Sequence, residues 1–237
     1  MRQPAGLRQT LGQKVAESVR ADILAGRHAP AARLSPRAVA ASAGVSLSVA
    51  REGLTRLVAE GLVVASPNVG FSVVPLDLDD VRDTAALRVS LEGAALRDSI
   101  ANADVEYETR VLASHYRLTR APRYSDAAGR VMTEEWAAAH ATFHAELISN
   151  CPNRRARRLV ADLRGTAEVY RRWSETLGAG APSRDVEDEH RALMQAALDR
   201  DADRAVVLIT DHIAVTARLL EDYLRSLDGV STERRRA

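Results

Sequence analysis

Hydrophobic spacing leaves the helical period once along this 237-residue chain, over residues 62–74, and then returns to it. Leu11, Val15, Val19 and Ile23 recur at helical spacing, and Val49, Leu54, Leu57 and Val58 mark one face of a later segment. Residues 62–66 (LVVAS) and 70–74 (GFSVV) are instead short β-branched runs separated by Pro-Asn-Val, which reads as a small hairpin. Past residue 78 nothing reads as a strand. Such a chain has to build its core between helices. Composition agrees: hydrophobic residues make up 46% but aromatics only 4%, so the core is mostly Ala, Leu and Val, which suits close-packed helices.

Local punctuation sets the boundaries. Gly26 ends the first helix, as a residue just past a C-cap often does. Ser35 followed by Pro36 is a strong helix start, Gly44 closes that short helix, Ser46 is the next N-cap, and Gly61 ends the third helix. Pro75 ends the unit, and PLDLDDVRD is a linker turning into a helix capped by Asp77 or Asp79. Helices are expected over 79–101, 104–119, 124–150, 154–178, 184–200 and 202–227, divided by Asn102, Ala121-Pro122, Cys151-Pro152-Asn153, the Gly178–Pro182 stretch and Asp201. Connections this short favour antiparallel neighbours. The expected fold is therefore mainly α: a winged helix-turn-helix over 1–75, an all-α antiparallel bundle over 76–228, and a disordered tail over 229–237.

Several classes drop out. One cysteine, Cys151, excludes a disulfide framework within the chain and a cysteine-based zinc site. No run of 18 apolar residues suggests a transmembrane helix, and the N-terminus lacks the apolar stretch of a signal peptide, so a cytoplasmic location is expected. The net charge of +1 conceals an asymmetry. Residues 1–75 carry nine basic and four acidic side chains, a net +5, while the remainder carries 24 basic and 28 acidic, a net −4. A basic front end suits a phosphate backbone, and the two parts meet different partners.

Two helices joined by a tight Gly-containing turn and followed by a hairpin describe a winged helix-turn-helix. Its second helix would offer its N-terminal residues Ser46, Leu47, Ser48 and Arg51 to the major groove. The free N–H groups at that helix start suit a phosphate. Arg37 on the preceding helix is placed to reach the backbone or groove edge, and Gly70 lets the wing come close to the sugar-phosphate chain. A small helical unit with a wing also serves as a protein contact, and the pattern alone leaves that open.

In the back half, WAAAHATFHAEL sets His140 and His144 one turn apart on an Ala-rich helix, the geometry that offers two ligands to one metal ion. His190 and His212 sit mid-helix on successive segments, so four imidazoles can converge inside a bundle, where metal sites are built from facing helices. Each histidine taken singly also reads as an ordinary core or surface residue, and spacing does not decide between the two.

Residues Leu11 to Val74 resemble the DNA-binding domain of GntR-family transcriptional regulators, through VAESVRADILAGRHAPAARLS, RAVAASAGVS, VAREGLTRLVAEGLV and GFSV. The resemblance implies DNA contacts for Arg37, Arg51 and Gly70. Where that family often has arginine after the recognition-helix serine, followed by Thr-Pro, this chain has Leu47-Ser48-Val49. Leucine cannot bond a guanine edge but can touch a thymine methyl.

Residues 79–227 are similar to the FCD domain of the FadR subgroup, through RVSLE (88–92), FHAEL (143–147), Cys151-Pro152-Asn153, Glu189-His190 and the final His212. The resemblance implies a divalent metal held by His140, His144, His190 and His212, with His140 standing where relatives place an acid. Four neutral imidazoles leave the ion's charge uncompensated and favour a transition metal, zinc or nickel first, over Mg or Ca. A small carboxylate or sugar acid would be drawn to such a centre. Arg88 would hold the effector's far end unless it pairs with Glu92, and Asn153 would contact effector unless it caps the next helix.

The expected function is a ligand-responsive repressor that binds a near-palindromic double-stranded DNA operator as a homodimer. A metal-free polar effector pocket is the alternative. A zincin-like hydrolase is disfavoured, since Ala141 fills the slot of the catalytic glutamate and Glu146 points elsewhere on the helix.

Overall fold

A computed structural model describes residues 9–67, 69–125, 132–176 and 184–234. The chain divides into two compact units, Met1–Leu76 and Asp77–Ala237.

The first unit is built from α1 (Leu11–Leu24), β1 (Arg33–Leu34), α2 (Pro36–Ala43), α3 (Leu47–Ala59), β2 (Val63–Ser66) and β3 (Gly70–Val73). Each helix starts on a hydroxyl cap. Thr10 and Gln13 form a reciprocal capping box on α1, Ser35 caps α2 with Pro36 behind it, and Ser46 caps α3. Gly44 takes the left-handed conformation that ends α2, with φ of 63°. The apolar stripes of α1 and α3 close on each other through Val15, Val19, Ile23, Leu54 and Leu57. Gly53 permits this approach, because a Cβ there would lie 2.6 Å from the Cγ1 of Val15.

The expected hairpin is present, with Val63 opposite Val73 and Ser66 opposite Gly70. Beyond expectation, β1 pairs antiparallel with β3, giving a three-stranded sheet in the order β1-β3-β2. Two residues in the HAPAARL stretch carry no periodicity of their own, so only the pairing partner reveals them as a strand.

The second unit contains α4 (Leu78–Ala101), α5 (Val105–Arg120), α6 (Glu134–Leu147), α7 (Arg154–Thr176), α8 (Val186–Leu198) and α9 (Ala202–Arg234), with no strand among its described residues beyond an isolated bridge between Tyr124 and Met132. Asp77, Asp104, Thr133 and Asp185 cap α4, α5, α6 and α8, and acidic residues in the first turns suit the positive ends of the helix dipoles. α4 packs against α9 and α7, α5 against α6 and α8, and α8 against α9. The core combines Leu96, Tyr107, Phe143, Leu147, Leu193 and Ile209. Tyr107 stays inside because its hydroxyl donates to the Leu147 carbonyl at 3.0 Å.

Two expectations change. The helix expected over 124–150 begins only at Glu134, because the Thr133 hydroxyl accepts the Trp136 N–H at 3.0 Å and sets the helix start there. Residues 126–131 lie outside the described residues. The tail expected to be disordered from 229 is helical as far as Arg234, since extending a formed helix costs far less than nucleating one. Residues 235–237 lie outside the described residues. Among the described residues, no helix is long and apolar enough to cross a membrane.

Candidate functional site

The four histidines meet. α6 presents His140 and His144 one turn apart, α8 brings His190 and α9 brings His212, and one ligand atom from each lies within 4.8 Å of every other. A metal–nitrogen bond of about 2.0–2.1 Å sets tetrahedral ligand nitrogens roughly 3.4 Å apart, so the most separated of these atoms would draw in by up to about 1.4 Å to share one ion. The Nε2 atoms of His144 and His190 already stand 3.4 Å apart. Aromatic neighbours hold the rings in place. Trp136 stacks on His140 at 4.8 Å, and Phe143 meets both His144 and His190 edge-on at 5.4 Å.

Electrostatics keep the cluster in its ligating form. Burial pushes the imidazoles of His140, His144 and His190 well below their usual range, and the nearby cations and fellow histidines push the same way. Burial lowers His212 too, partly offset by the Glu189 carboxylate 2.7 Å from its Nδ1. Neutral imidazole is the form that binds a cation. The buried Nε2 of His140 and Nδ1 of His144 have no hydrogen-bond partner among the described residues. A buried ring nitrogen without a hydrogen-bond partner in a four-histidine cluster calls for an explanation, and a cation on the cluster would supply one for a nitrogen that faces it.

His140, His144 and His212 face a cavity of about 520 Å³ between α4, α6, α7 and α9. Small side chains hollow it out: Ala138 and Ala141 on α6, Ala161 and Gly165 on α7. Four arginines, Arg88, Arg164, Arg171 and Arg172, line it with Glu134 and Glu168. Arg171 and Arg172 bond Glu168, and Arg172 also bonds Glu134 at 2.5 Å. Arg88 and Arg164 share one carboxylate, Glu92, at 2.6 and 2.7 Å, and that carboxylate is 0% exposed. Burial alone would raise the pKa of Glu92, but Arg164 and Arg88 outweigh it and hold the carboxyl below its usual range. Two guanidiniums on one anion leave a net positive charge on this wall.

The sequence expectation for Arg88 offered a salt bridge or a place in the pocket, and the structure gives it both. Of the two roles open to Asn153, effector contact and helix cap, the structure gives the cap. Asn153 does not line the cavity; its Oδ1 accepts the N–H groups of Arg155 and Ala156 at 3.1 Å and so caps α7. Arg164, Arg171 and Arg172 were not foreseen. With Glu168 they fall at i, i+4, i+7 and i+8, the spacing of one helical face, but in sequence a charged stripe looks like a solvated surface.

In the first unit Arg37, Ser46, Leu47, Ser48, Arg51 and Gly70 are all exposed. The Ser46 hydroxyl accepts the Val49 N–H at 3.3 Å, which leaves its own proton free to donate. Leu47 is 41% exposed at the start of α3, an apolar side chain presented where water would otherwise hydrate a polar one. Gly70 opens β3 with φ of +96°, a conformation that side-chain-bearing residues rarely adopt, and no atom crowds its missing Cβ. Arg20, Arg27 and Arg56 pair with Glu60, Asp22 and Glu52, whereas Arg37 and Arg51 have no ion-pair partner among the described residues.

Comparison with known proteins agrees with this division. Residues 11–73 match the family described as bacterial regulatory proteins, gntR family, and residues 83–215 match the FCD domain. The chain is 37% identical over 207 residues to an uncharacterized HTH-type transcriptional regulator, BphR, of Paraburkholderia xenovorans (strain LB400), covering 87% of this chain and 84% of that protein. It is 26% identical over 205 residues to the HTH-type transcriptional repressor GlaR of Escherichia coli (strain K12), covering 86% and 92%. Among solved structures, E. coli McbR/YncC shares the fold with a TM-score of 0.67 at 16% identity, over 91% of this chain and 99% of that one. A GntR regulator from Rhodococcus sp. RHA1 does so with a TM-score of 0.65 at 20% identity, over 88% and 97%. With both units matched and most of the chain aligned to a relative at this identity, the protein belongs to the GntR family of transcriptional regulators and joins a DNA-binding helix-turn-helix unit to an FCD domain.

Proposed function

We propose that this regulator is a repressor that holds a divalent transition metal, zinc or nickel, on His140, His144, His190 and His212 and answers to a small carboxylate or sugar acid. The carrying observation is the buried four-histidine cluster at the edge of a cavity with an arginine-lined wall. A bound ion would supply fixed positive charge and coordination positions open to an anionic oxygen. The chain supplies the rest: Trp136 and Phe143 fix the imidazoles, and Arg88 and Arg164, anchored on Glu92, face an anion's far end. The relative GlaR carries the name of a repressor, and the same direction is assigned here. Catalysis is not part of the reading. Ala141 fills the slot of a zincin's glutamate, and Glu146 is engaged by Arg110 at 3.1 Å.

In the first unit, Arg37 and Arg51 contact the DNA backbone and groove edge, Ser46, Leu47 and Ser48 meet base edges at the start of α3, and the wing at Gly70 approaches the sugar-phosphate chain. The protein acts as a homodimer on a near-palindromic operator. Effector shifts operator affinity only so far as it binds the two states differently.

The test is elemental analysis of untagged protein reconstituted with zinc or nickel, followed by calorimetric titration with small carboxylates and sugar acids and by operator binding with and without them. Near-stoichiometric metal, metal-dependent anion binding and a change in operator affinity are expected. No retained metal with unchanged anion binding would replace this reading with a metal-free polar pocket.

A further inference from the structure

We infer that Glu189 is a positioning residue of the metal centre: it orients His212 and raises the basicity of the ring nitrogen that His212 turns to an ion. The inference rests on the proposed metal reading and goes beyond it by assigning roles to Glu189 and Arg184, neither of which offers a ligand atom to the cluster.

His212 is unlike two of its companions. His140 and His144 each keep a buried ring nitrogen without a partner among the described residues. His212 has its Nδ1 2.7 Å from Glu189 Oε2, so its Nε2 is the nitrogen left for an ion. A carboxylate accepting the Nδ1–H fixes the tautomer and ring angle and raises the basicity of the opposite nitrogen. The carboxylate is itself held. Arg184 Nε donates to Glu189 Oε1 and its terminal nitrogen to Oε2, both at 2.7 Å, a two-pronged grip of the kind that sets carboxylate geometry. Arg184 is anchored in turn on Thr216 Oγ1 at 2.9 Å and on the His212 carbonyl at 3.1 Å. The chain of contacts thus leaves His212 by its ring and returns to it by its backbone.

The charge argument points the same way. Four neutral imidazoles offset none of an ion's two positive charges, and no carboxylate belongs to the ligand set. The Glu189 carboxylate, one imidazole away and itself paired with Arg184, polarises the His212 ring through its Nδ1–H, so the opposite nitrogen becomes a better donor to an ion.

The experiment measures zinc affinity of the untagged full chain by competition with a chromophoric chelator, for wild type, Glu189→Gln, Glu189→Asp and Arg184→Gln. Glu189→Gln keeps an acceptor for Nδ1–H but loses the charge. It is expected to weaken zinc binding about 10- to 100-fold, with Glu189→Asp recovering part of the loss and Arg184→Gln losing less. The metal-free protein should melt somewhat lower, because the Arg184–Glu189 ion pair is broken, yet remain folded at the assay temperature, and the visible absorption of the cobalt-substituted centre should shift. Wild-type zinc affinity and cobalt spectrum in Glu189→Gln would overturn the inference while leaving the metal reading intact. A lowered metal-free melting temperature accounting for the whole loss would also overturn it, by making the role structural. A wild-type chain that binds no zinc would overturn the metal reading and this one together.

Discussion

Glu92 shows how much can depend on one side chain. It is fully buried, bonded by Arg88 and Arg164, and joins α4 to α7. Replacing it with Gln leaves two largely buried guanidiniums without their anion, and breaking a buried pair in this way costs about 3–5 kcal/mol. Urea denaturation of Glu92→Gln should show a loss of that size. The wild type should also be acid-sensitive. Because ion pairing lowers the folded carboxyl below its usual value, the unfolded chain takes up this proton first. The stabilisation is complete above about pH 4.3 and fades as pH falls through the folded value, so a denaturation series should lose stability toward acid, and Glu92→Gln should flatten that slope. Sequence paired Arg88 with Glu92 from their i, i+4 spacing, but Arg164 lies 72 positions away and shows no local sign of sharing the same carboxylate.

At the scale of elements, helix starts were the most legible feature because each is set by chemistry within four residues. Ser35-Pro36, Ser46 and Asp77 cap the helices they were expected to cap. The start of α6 was missed because Thr133 follows a stretch whose alanines look helical on their own. β1 was missed because a strand of two residues exists only through its partner. The convergence of four histidines from α6, α8 and α9 was anticipated from their mid-helix positions and from family resemblance, whereas the arginine wall of α7 depends on which face that helix turns inward. The unpaired arginines of the first unit carry a prediction at this scale. Arg37→Ala and Arg51→Ala should each weaken operator binding and lower the slope of log affinity against log salt by about one, if each meets a phosphate. Fluorescence anisotropy across a salt series reads this directly. An unchanged slope accompanied by relaxed base preference would move that arginine from the backbone to a base edge.

Across the whole molecule, the two units have separate cores, one packed between α1, α3 and the sheet, the other between the six long helices. The four-histidine cluster and the arginine-lined cavity lie in the second. Ligand that binds only the folded form stabilises it by mass action, about 2.7 kcal/mol at a hundredfold excess over Kd. Scanning calorimetry of the zinc-loaded chain before and after chelation should therefore shift the transition of the helical unit downward. A transition belonging to the first unit should stay where it is, and one moving in step with it would show that the two unfold as a single cooperative body.

The alanines and the glycine around the cavity do no chemistry, yet they decide how much room there is. Charge recognition and steric capacity therefore reside in different side chains and can vary independently. Enlarging Ala138 or Ala141 would tailor the chamber to slimmer guests with the four histidines themselves unaltered, a division of labour that makes this scaffold suitable for re-aiming as a genetically encoded biosensor.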